Sequence, residues 1–228
     1  MTARLPDPLP DGLRELGGHD PGRTWLARLP TLLEEVTENW QLRVGDAFPD
    51  ASASLTVRAF TADGEPVVLK LQYPHREADH EAAALARWDG NGAVRLLAHD
   101  PDRHALLLEP CEPGAPLFEL EQDAALDVLV DLLPRLWQPS GRPFTSLADE
   151  AAHWAVTLPG VWASAGRPFE RHLLDAALKT IGELSTSQGE QVLLHQDLHT
   201  GNVLSAAREP WLAIDPKPLL GEPELALA

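Results

Sequence analysis

Late in the chain, two short apolar runs, Val192-Leu193-Leu194 and Val203-Leu204, enclose the eight residues His195-Gln196-Asp197-Leu198-His199-Thr200-Gly201-Asn202. Runs that short read as brief strands, and the stretch between them is too polar to be core. A third apolar run, Trp211-Leu212-Ala213-Ile214, follows the Arg208-Glu209-Pro210 turn and delivers Asp215 thirteen residues after Asn202. The fold must therefore present a polar loop between short strands, beside a carboxylate carried on another strand.

Three readings of that loop compete. Two histidines and an aspartate can simply cap strands and hydrogen-bond a tight turn. His195, Asp197 and His199 alternate along an extended chain and can converge on a metal, although zinc wants a further ligand or a water. No cysteine or third histidine stands at the needed spacing. Third, His-x-Asp-x-x-x-x-Asn is the spacing by which kinases place a base aspartate, here Asp197, and a metal-holding asparagine, here Asn202. On this reading His195 holds the loop by bonding backbone, and Gln196, beside the base, faces away from it.

The kinase reading makes further demands, and the chain meets them. A hard cation such as magnesium needs oxygen ligands; Asn202 offers a neutral one, Asp215 an anionic one, and nucleotide phosphates complete the shell. The phosphates need a cation on a rigid strand. Lys70 ends the apolar run Val67-Val68-Leu69, where an unpaired ammonium would be costly. Its expected partner is Glu81, which leads into the Ala-Ala-Ala-Leu face of the next helix, with Glu77 the same-face alternative. Ahead of the lysine strand there is no Gly-x-Gly-x-x-Gly. The segment Val44 to Ser54 is the candidate phosphate loop, with Ser52 and Ser54 as donors, or else an ordinary strand–turn–strand.

The rest of the chain divides in two. Residues 1–24, rich in proline and glycine, read as an irregular arm, and Thr24–Trp40 as a helix with apolar residues every three or four. Residues 53–60 and 66–71 are strands about the Asp63-Gly64 turn. A helix opening at Pro74 and closing at Gly90 follows, then two more strands about Pro101-Asp102. At Glu109-Pro110-Cys111-Glu112-Pro113-Gly114 the pattern breaks into a linker. Three helices are expected after it: Glu121–Trp137, one capped by Ser146, and one with Pro168 in its first turn. The domains are accordingly 1–109, an arm with a nucleotide lobe, and 110–228, a helical lobe for catalysis and acceptor binding.

Charge narrows the partners. Thirty-five acids against 18 bases give a formal net charge of -17, which excludes a general basic surface for nucleic acid and suits a cationic small molecule. Candidate acids for its recognition are Asp149, Glu150, Glu170, Asp175 and Glu183, with Trp154 and Trp162 as apolar walls. The single cysteine, Cys111, excludes an internal disulfide and a cysteine-rich zinc site. No stretch has the length of a membrane span and no signal-peptide core opens the chain, so a cytoplasmic protein, a monomer or weak dimer, is expected.

HQDLHTGNVL with WLAIDPKPLLGEPE, VVLKLQYPHREADHEAAALARWDGNGAVRLLAHD and ALLLEPCEPGAPL together resemble the aminoglycoside phosphotransferase superfamily, more narrowly its streptomycin 6-phosphotransferase and hydroxyurea resistance kinase branch. The resemblance implies an α+β, bilobal protein-kinase-like fold: a small N-terminal antiparallel sheet lobe with one main helix, and a mostly helical C-terminal lobe. It implies ATP as phosphoryl donor and Mg2+ as cofactor, and an aminoglycoside, streptomycin at its 6-hydroxyl, as acceptor. Hydroxyurea, choline, homoserine or a sugar are the other acceptors to weigh, and a non-catalytic nucleotide-binding protein the other class. By resemblance Lys70 touches the phosphates, Glu81 pairs with it, and Asp197 is catalytic. Asn202 and Asp215 hold the metal, and the backbone near Glu109 and Cys111 meets adenine. Family members continue with further helices after the metal aspartate, so the second lobe is expected to be truncated.

Overall fold

The computed structural model describes residues 5–6, 9–49 and 53–227. Five antiparallel strands, β1 (Arg43–Ala47), β2 (Ser54–Phe60), β3 (Pro66–Gln72), β4 (Leu96–Asp100) and β5 (Ala105–Leu108), form one sheet in the order β1-β2-β3-β5-β4. Side chains alternate between its faces. Leu55, Val57, Ala59, Val67, Leu69, Leu71, Ala105 and Leu107 point one way, into a core closed by Trp25, Leu29, Leu33 and Val36. Those four lie on α2 (Asp20–Asn39), which follows a short α1 (Asp11–Leu16). Leu106 and Leu108 point the other way and meet Ala82, Leu85 and Trp88 of α3 (Glu81–Trp88). Lys70 lies between Leu69 and Leu71, so the alternation that buries the leucines under α2 turns the lysine toward α3.

The second half holds α4 (Gln122–Leu136), α5 (Leu147–Ser164) and α6 (Arg171–Thr186). Two small antiparallel ribbons follow. β6 (Val192–Leu194) pairs with β9 (Leu219–Gly221), and β7 (Val203–Ser205) with β8 (Trp211–Ala213). Leu193, Leu212, Ala213 and Leu220 of these ribbons share one core with Leu85, Trp88, Leu106 and Leu108, and Trp88 Nε1 donates to the Leu136 carbonyl at 2.8 Å. That shared apolar contact places the ribbon loops under the Lys70 face of the sheet. Among the described residues no helix is long and apolar enough to cross a membrane.

Several expected boundaries are corrected. The arm is not irregular throughout: α1 forms within it, and α2 begins at Asp20, with the His19 side chain accepting from Gly22 N at 3.2 Å. Pro21 sits in the first turn of α2, where its missing N–H is not needed, so a proline of the stretch read as irregular starts a helix. The segment ahead of β2 contributes strand β1. The helix expected from Pro74 is two pieces, a 3-10 turn at Arg76–Ala78 and then α3. Asp89, in the left-handed region at φ 47, ends α3. Ser146 does cap α5, accepting from Asp149 N at 3.1 Å. Pro168, however, lies outside α6, whose N-cap is Glu170.

Candidate active site

The two ribbons hold two loops against each other. Residues 195–202 join β6 to β7, and residues 214–218 join β8 to β9. Three bonds fasten them: His195 Nε2 donates to the Ile214 carbonyl at 2.9 Å, Lys217 N donates to the His195 carbonyl at 3.0 Å, and Ile214 N donates to the Asn202 carbonyl at 2.9 Å. His195 is 2% exposed and stacks on Trp88 with ring centroids 6.0 Å apart. Burial lowers its pKa to about 4, so the ring is neutral and acts as a fixed backbone donor.

Asp197, Asn202 and Asp215 come together through these bonds. Asn202 Nδ2 donates to the Asp197 carbonyl at 2.9 Å and to Asp197 Oδ2 at 3.3 Å. The amide is thereby oriented with its oxygen turned away from Asp197. Lys217 Nζ lies 3.2 Å from the same Asp197 Oδ2. Asp197 Oδ1 has no hydrogen-bond partner among the described residues. Asp215 adopts the left-handed region at φ 60, as does Gln196 at φ 64.

Lys70 crosses from the sheet to this site. Its Nζ lies 2.8 Å from both Glu81 oxygens and also contacts Asp215 Oδ1. Gln72 Nε2 donates to Glu81 Oε2 at 2.6 Å. Lys70 and Glu81 are 7% and 3% exposed. Burial alone would lower the lysine, but the Glu81 and Asp215 carboxylates outweigh it and hold the ammonium above its ordinary range. Burial pushes Glu81 up to about 7, with Lys70 opposing. Both Glu81 oxygens lie within hydrogen-bond reach of one ammonium, and the Gln72 amide donates to one of them, an arrangement that favours the carboxylate. Asp215 is lowered: burial would raise it, and Lys70 pulls it down further.

The remaining expected residues fall in different places. Ser52 lies outside the described residues. Ser54 is buried in β2 with its hydroxyl 3.1 Å from Thr56 Oγ1. Glu109 does not turn its side chain to a ligand: it accepts from Arg208 Nη2 at 2.7 Å and from Arg95 N at 2.8 Å, and its own N–H donates to the Arg95 carbonyl. The Glu109 carbonyl and Cys111 N–H have no partner among the described residues. The Cys111 thiol is pushed up to about 12, by burial and then by Glu109. His199 is exposed and its Nδ1 accepts from Gly201 N at 3.0 Å. Among the described residues no three His, Cys, Asp or Glu side chains cluster to hold a metal, which removes the His195-Asp197-His199 reading.

Next to the Asp197 loop opens a small cleft lined by Glu77, His80, Glu150, Trp154, Gln196 and Lys217, among others. Gln196 lines this cleft. Of the five candidate acids only Glu150 lines it. Asp149 accepts from Ser146, Asp175 from Arg171, and Glu183 pairs with Lys179 on α6. Of the two tryptophans only Trp154 is a wall. Trp162 packs on Phe169 and under Arg167 and Arg171. Glu77 and Lys217 were missed as cleft residues. The sole signal was that Lys217 follows Asp215 by two residues, on the same loop.

The model of the family described as aminoglycoside/hydroxyurea antibiotic resistance kinase matches residues 39–228. A streptomycin 6-kinase of Streptomyces glaucescens is 40% identical over 96% of this chain and 71% of its own length. A hydroxyurea phosphotransferase of Kitasatospora aureofaciens is 40% identical over 90% of this chain and 62% of its own. In fold, the choline kinase LicA of Streptococcus pneumoniae superposes with a TM-score of 0.62 at 13% identity, covering 86% of this chain and 71% of that one. The two-lobed α+β fold is thus that of the kinase-like phosphotransferases, and the chain, a small-molecule kinase, belongs to the aminoglycoside/hydroxyurea antibiotic resistance kinase family.

Proposed function

We propose that the chain is an ATP-dependent O-phosphotransferase that moves the γ-phosphoryl group of ATP to a hydroxyl of an aminoglycoside, streptomycin at its 6-hydroxyl first among them, in the cytoplasm. The observation that carries this reading is the convergence of the 195–202 and 214–218 loops beneath the Lys70–Glu81 pair, next to a cleft with two acids. Relatives named for streptomycin and hydroxyurea narrow the acceptor. Glu77 and Glu150 line the cleft beside their partners Lys217 and Arg76, so the choice of a cationic acceptor leans on the relatives' names, and hydroxyurea is the second reading because a relative of equal identity carries that name.

Phosphoryl transfer asks the protein mainly to position groups and hold charge. Asp197 Oδ1, without a partner among the described residues, receives the acceptor hydroxyl and takes its proton as the new O–P bond forms. Oδ2, held by Asn202 and Lys217, fixes the carboxylate plane. Lys70 gathers phosphate charge from a position secured by Glu81. The Glu109 carbonyl and Cys111 N–H are the edge groups for adenine. Asn202 Oδ1 and the second oxygen of Asp215 suit a hard divalent cation, Mg2+, which with too few protein ligands of its own leaves coordination to nucleotide phosphates. When bound, it neutralises phosphate charge and orients the leaving oxygen.

A phosphorylation screen with labelled ATP and Mg2+ against streptomycin, hydroxyurea, kanamycin, choline and homoserine tests the proposal. Phosphate on the streptomycin 6-hydroxyl is expected. Transfer to hydroxyurea alone selects the second reading, and transfer to none rejects both.

A further inference from the structure

Holding Asp197 Oδ2 does not exhaust what Lys217 can do. Its Nζ stands 3.2 Å from Asp197 Oδ2 and 3.4 Å from Glu77 Oε2. Among the described residues it is the cation in contact with Asp197. Lys70, by contrast, is enclosed by Glu81 and Asp215 and does not reach the base.

The placement is built rather than incidental. Lys217 N is bonded to the His195 carbonyl, and His195 is bonded back to the Ile214 carbonyl, so the lysine root and the Asp197 loop move as one piece. Pro218 restricts Lys217 to extended backbone, which carries its side chain off the loop and into the cleft. The side chain is 40% exposed. A half-exposed ion pair stabilises a fold by at most about 1 kcal/mol, so stability is a weak reason for it.

An ammonium beside a base also works against basicity, since it favours the deprotonated form. Its benefit must lie in what it does for the group arriving at Asp197. Both oxygens that bracket the reaction, the acceptor's and the phosphoryl group's, have to meet next to Asp197 Oδ1, within reach of the same ammonium.

We propose that Lys217 is a catalytic cation: it leaves Glu77, stays beside Asp197, and binds the phosphoryl oxygens as they pass to the acceptor. The γ-phosphorus–oxygen bond to ADP breaks with its electron pair going to ADP, the acceptor oxygen–phosphorus bond forms, and the acceptor proton goes to Asp197. Lys217 keeps all its protons and supplies charge to the travelling group. Glu77 is its resting partner, on the 3-10 turn between β3 and α3.

This rests on the phosphotransfer reading but not on which alcohol is the acceptor, so the test has two arms, transfer to streptomycin and slow hydrolysis of ATP by water. Lys217→Met, Lys217→Arg, Glu77→Gln and Lys179→Met are compared with the unaltered chain for kcat and KM, each with a thermal melt. Removing one charge-stabilising donor should lower kcat by about 10²–10³-fold in both arms, with KM for ATP changed less than about threefold. Lys217→Arg should recover at least about tenfold of that loss, and Lys179→Met on α6 should match the unaltered chain. A kcat for Lys217→Met within about threefold of the unaltered chain overturns the proposal. So do equal losses for Glu77→Gln and Lys217→Met in the hydrolysis arm, which would make the bridge merely structural. An unaltered chain inactive in both arms rejects the phosphotransfer reading itself. Activity in the water arm alone rejects only the acceptor.

Discussion

Asp197 and His195 are two residues apart, and burial gives them opposite duties. Asp197 is partly open and offers an oxygen without a partner among the described residues; His195 is sealed under Trp88 and has its ring fixed by the Ile214 carbonyl. Asp197→Asn should therefore reduce turnover by at least about 10²-fold while leaving the melting temperature and ATP affinity nearly unchanged. Steady-state rates beside a melt check this, and a rate near that of the unaltered chain removes Asp197 from the role. His195 predicts a pH dependence of stability instead. Its folded pKa of about 4 lies below the ordinary 6.5, so below pH 6.5 the unfolded chain takes up a proton that the folded chain refuses. The contribution is whole above pH 6.5 and is lost progressively down to pH 4, up to about 3 kcal/mol. Urea unfolding from pH 7.5 to 4.5 should fall more steeply for the unaltered chain than for His195→Gln. Parallel curves would show that the ring does not titrate on unfolding.

At the scale of elements, β3 and α3 are joined by a buried ion pair whose removal should be felt in the fold. Glu81→Ala leaves Lys70 with only Asp215, itself needed for the metal reading, and uncovers the Gln72 amide. Breaking one side of a buried pair costs about 3–5 kcal/mol, and retention of Asp215 should bring the measured loss toward the low end. Chemical denaturation gives the number, and a loss below about 1 kcal/mol, the range of exposed pairs, would mean the pair is not dry. Helix α5 has its own local test. Ser146 accepts from Asp149 N, and Ser146→Ala should cost about 1 kcal/mol with no change in KM for ATP, because the cap lies on the acceptor side.

The whole molecule carries a net charge of -17, and charge on that scale acts on encounter rather than on fold. Two of the polar contacts joining the halves, Arg76–Glu150 and Lys217–Glu77, are partly exposed and open to screening. Raising salt from about 0.05 to 0.5 M shortens the Debye length from roughly 14 to 4 Å. KM for a polycationic acceptor should rise several-fold across that range while kcat and the melting temperature hold. A KM insensitive to salt would argue for an uncharged acceptor such as hydroxyurea.

Much of the site was legible because its parts are local. Alternation in Val67-Val68-Leu69-Lys70-Leu71 is enough to turn the lysine from the leucine core, and the eight residues between two apolar runs already contain Asp197 and Asn202 at their working separation. The short period of a strand and the fixed length of a loop are properties of consecutive residues, so the sequence by itself determined them. What it left open depends on residues far apart. Whether Glu77 or Glu81 meets Lys70 turned on where α3 starts, and α3 starts at Glu81, with Ala82 and Leu85 packed on the sheet. β9, three residues long, exists because β6 is there to pair with it. Lys217 beside Asp197, Gln196 facing the cleft and Glu150 as the one candidate acid to reach it are all set by two loops and a helix converging through a common core. Only the tertiary structure decides such pairings, because their energy comes from burial shared between distant segments and not from the preferences of any one of them.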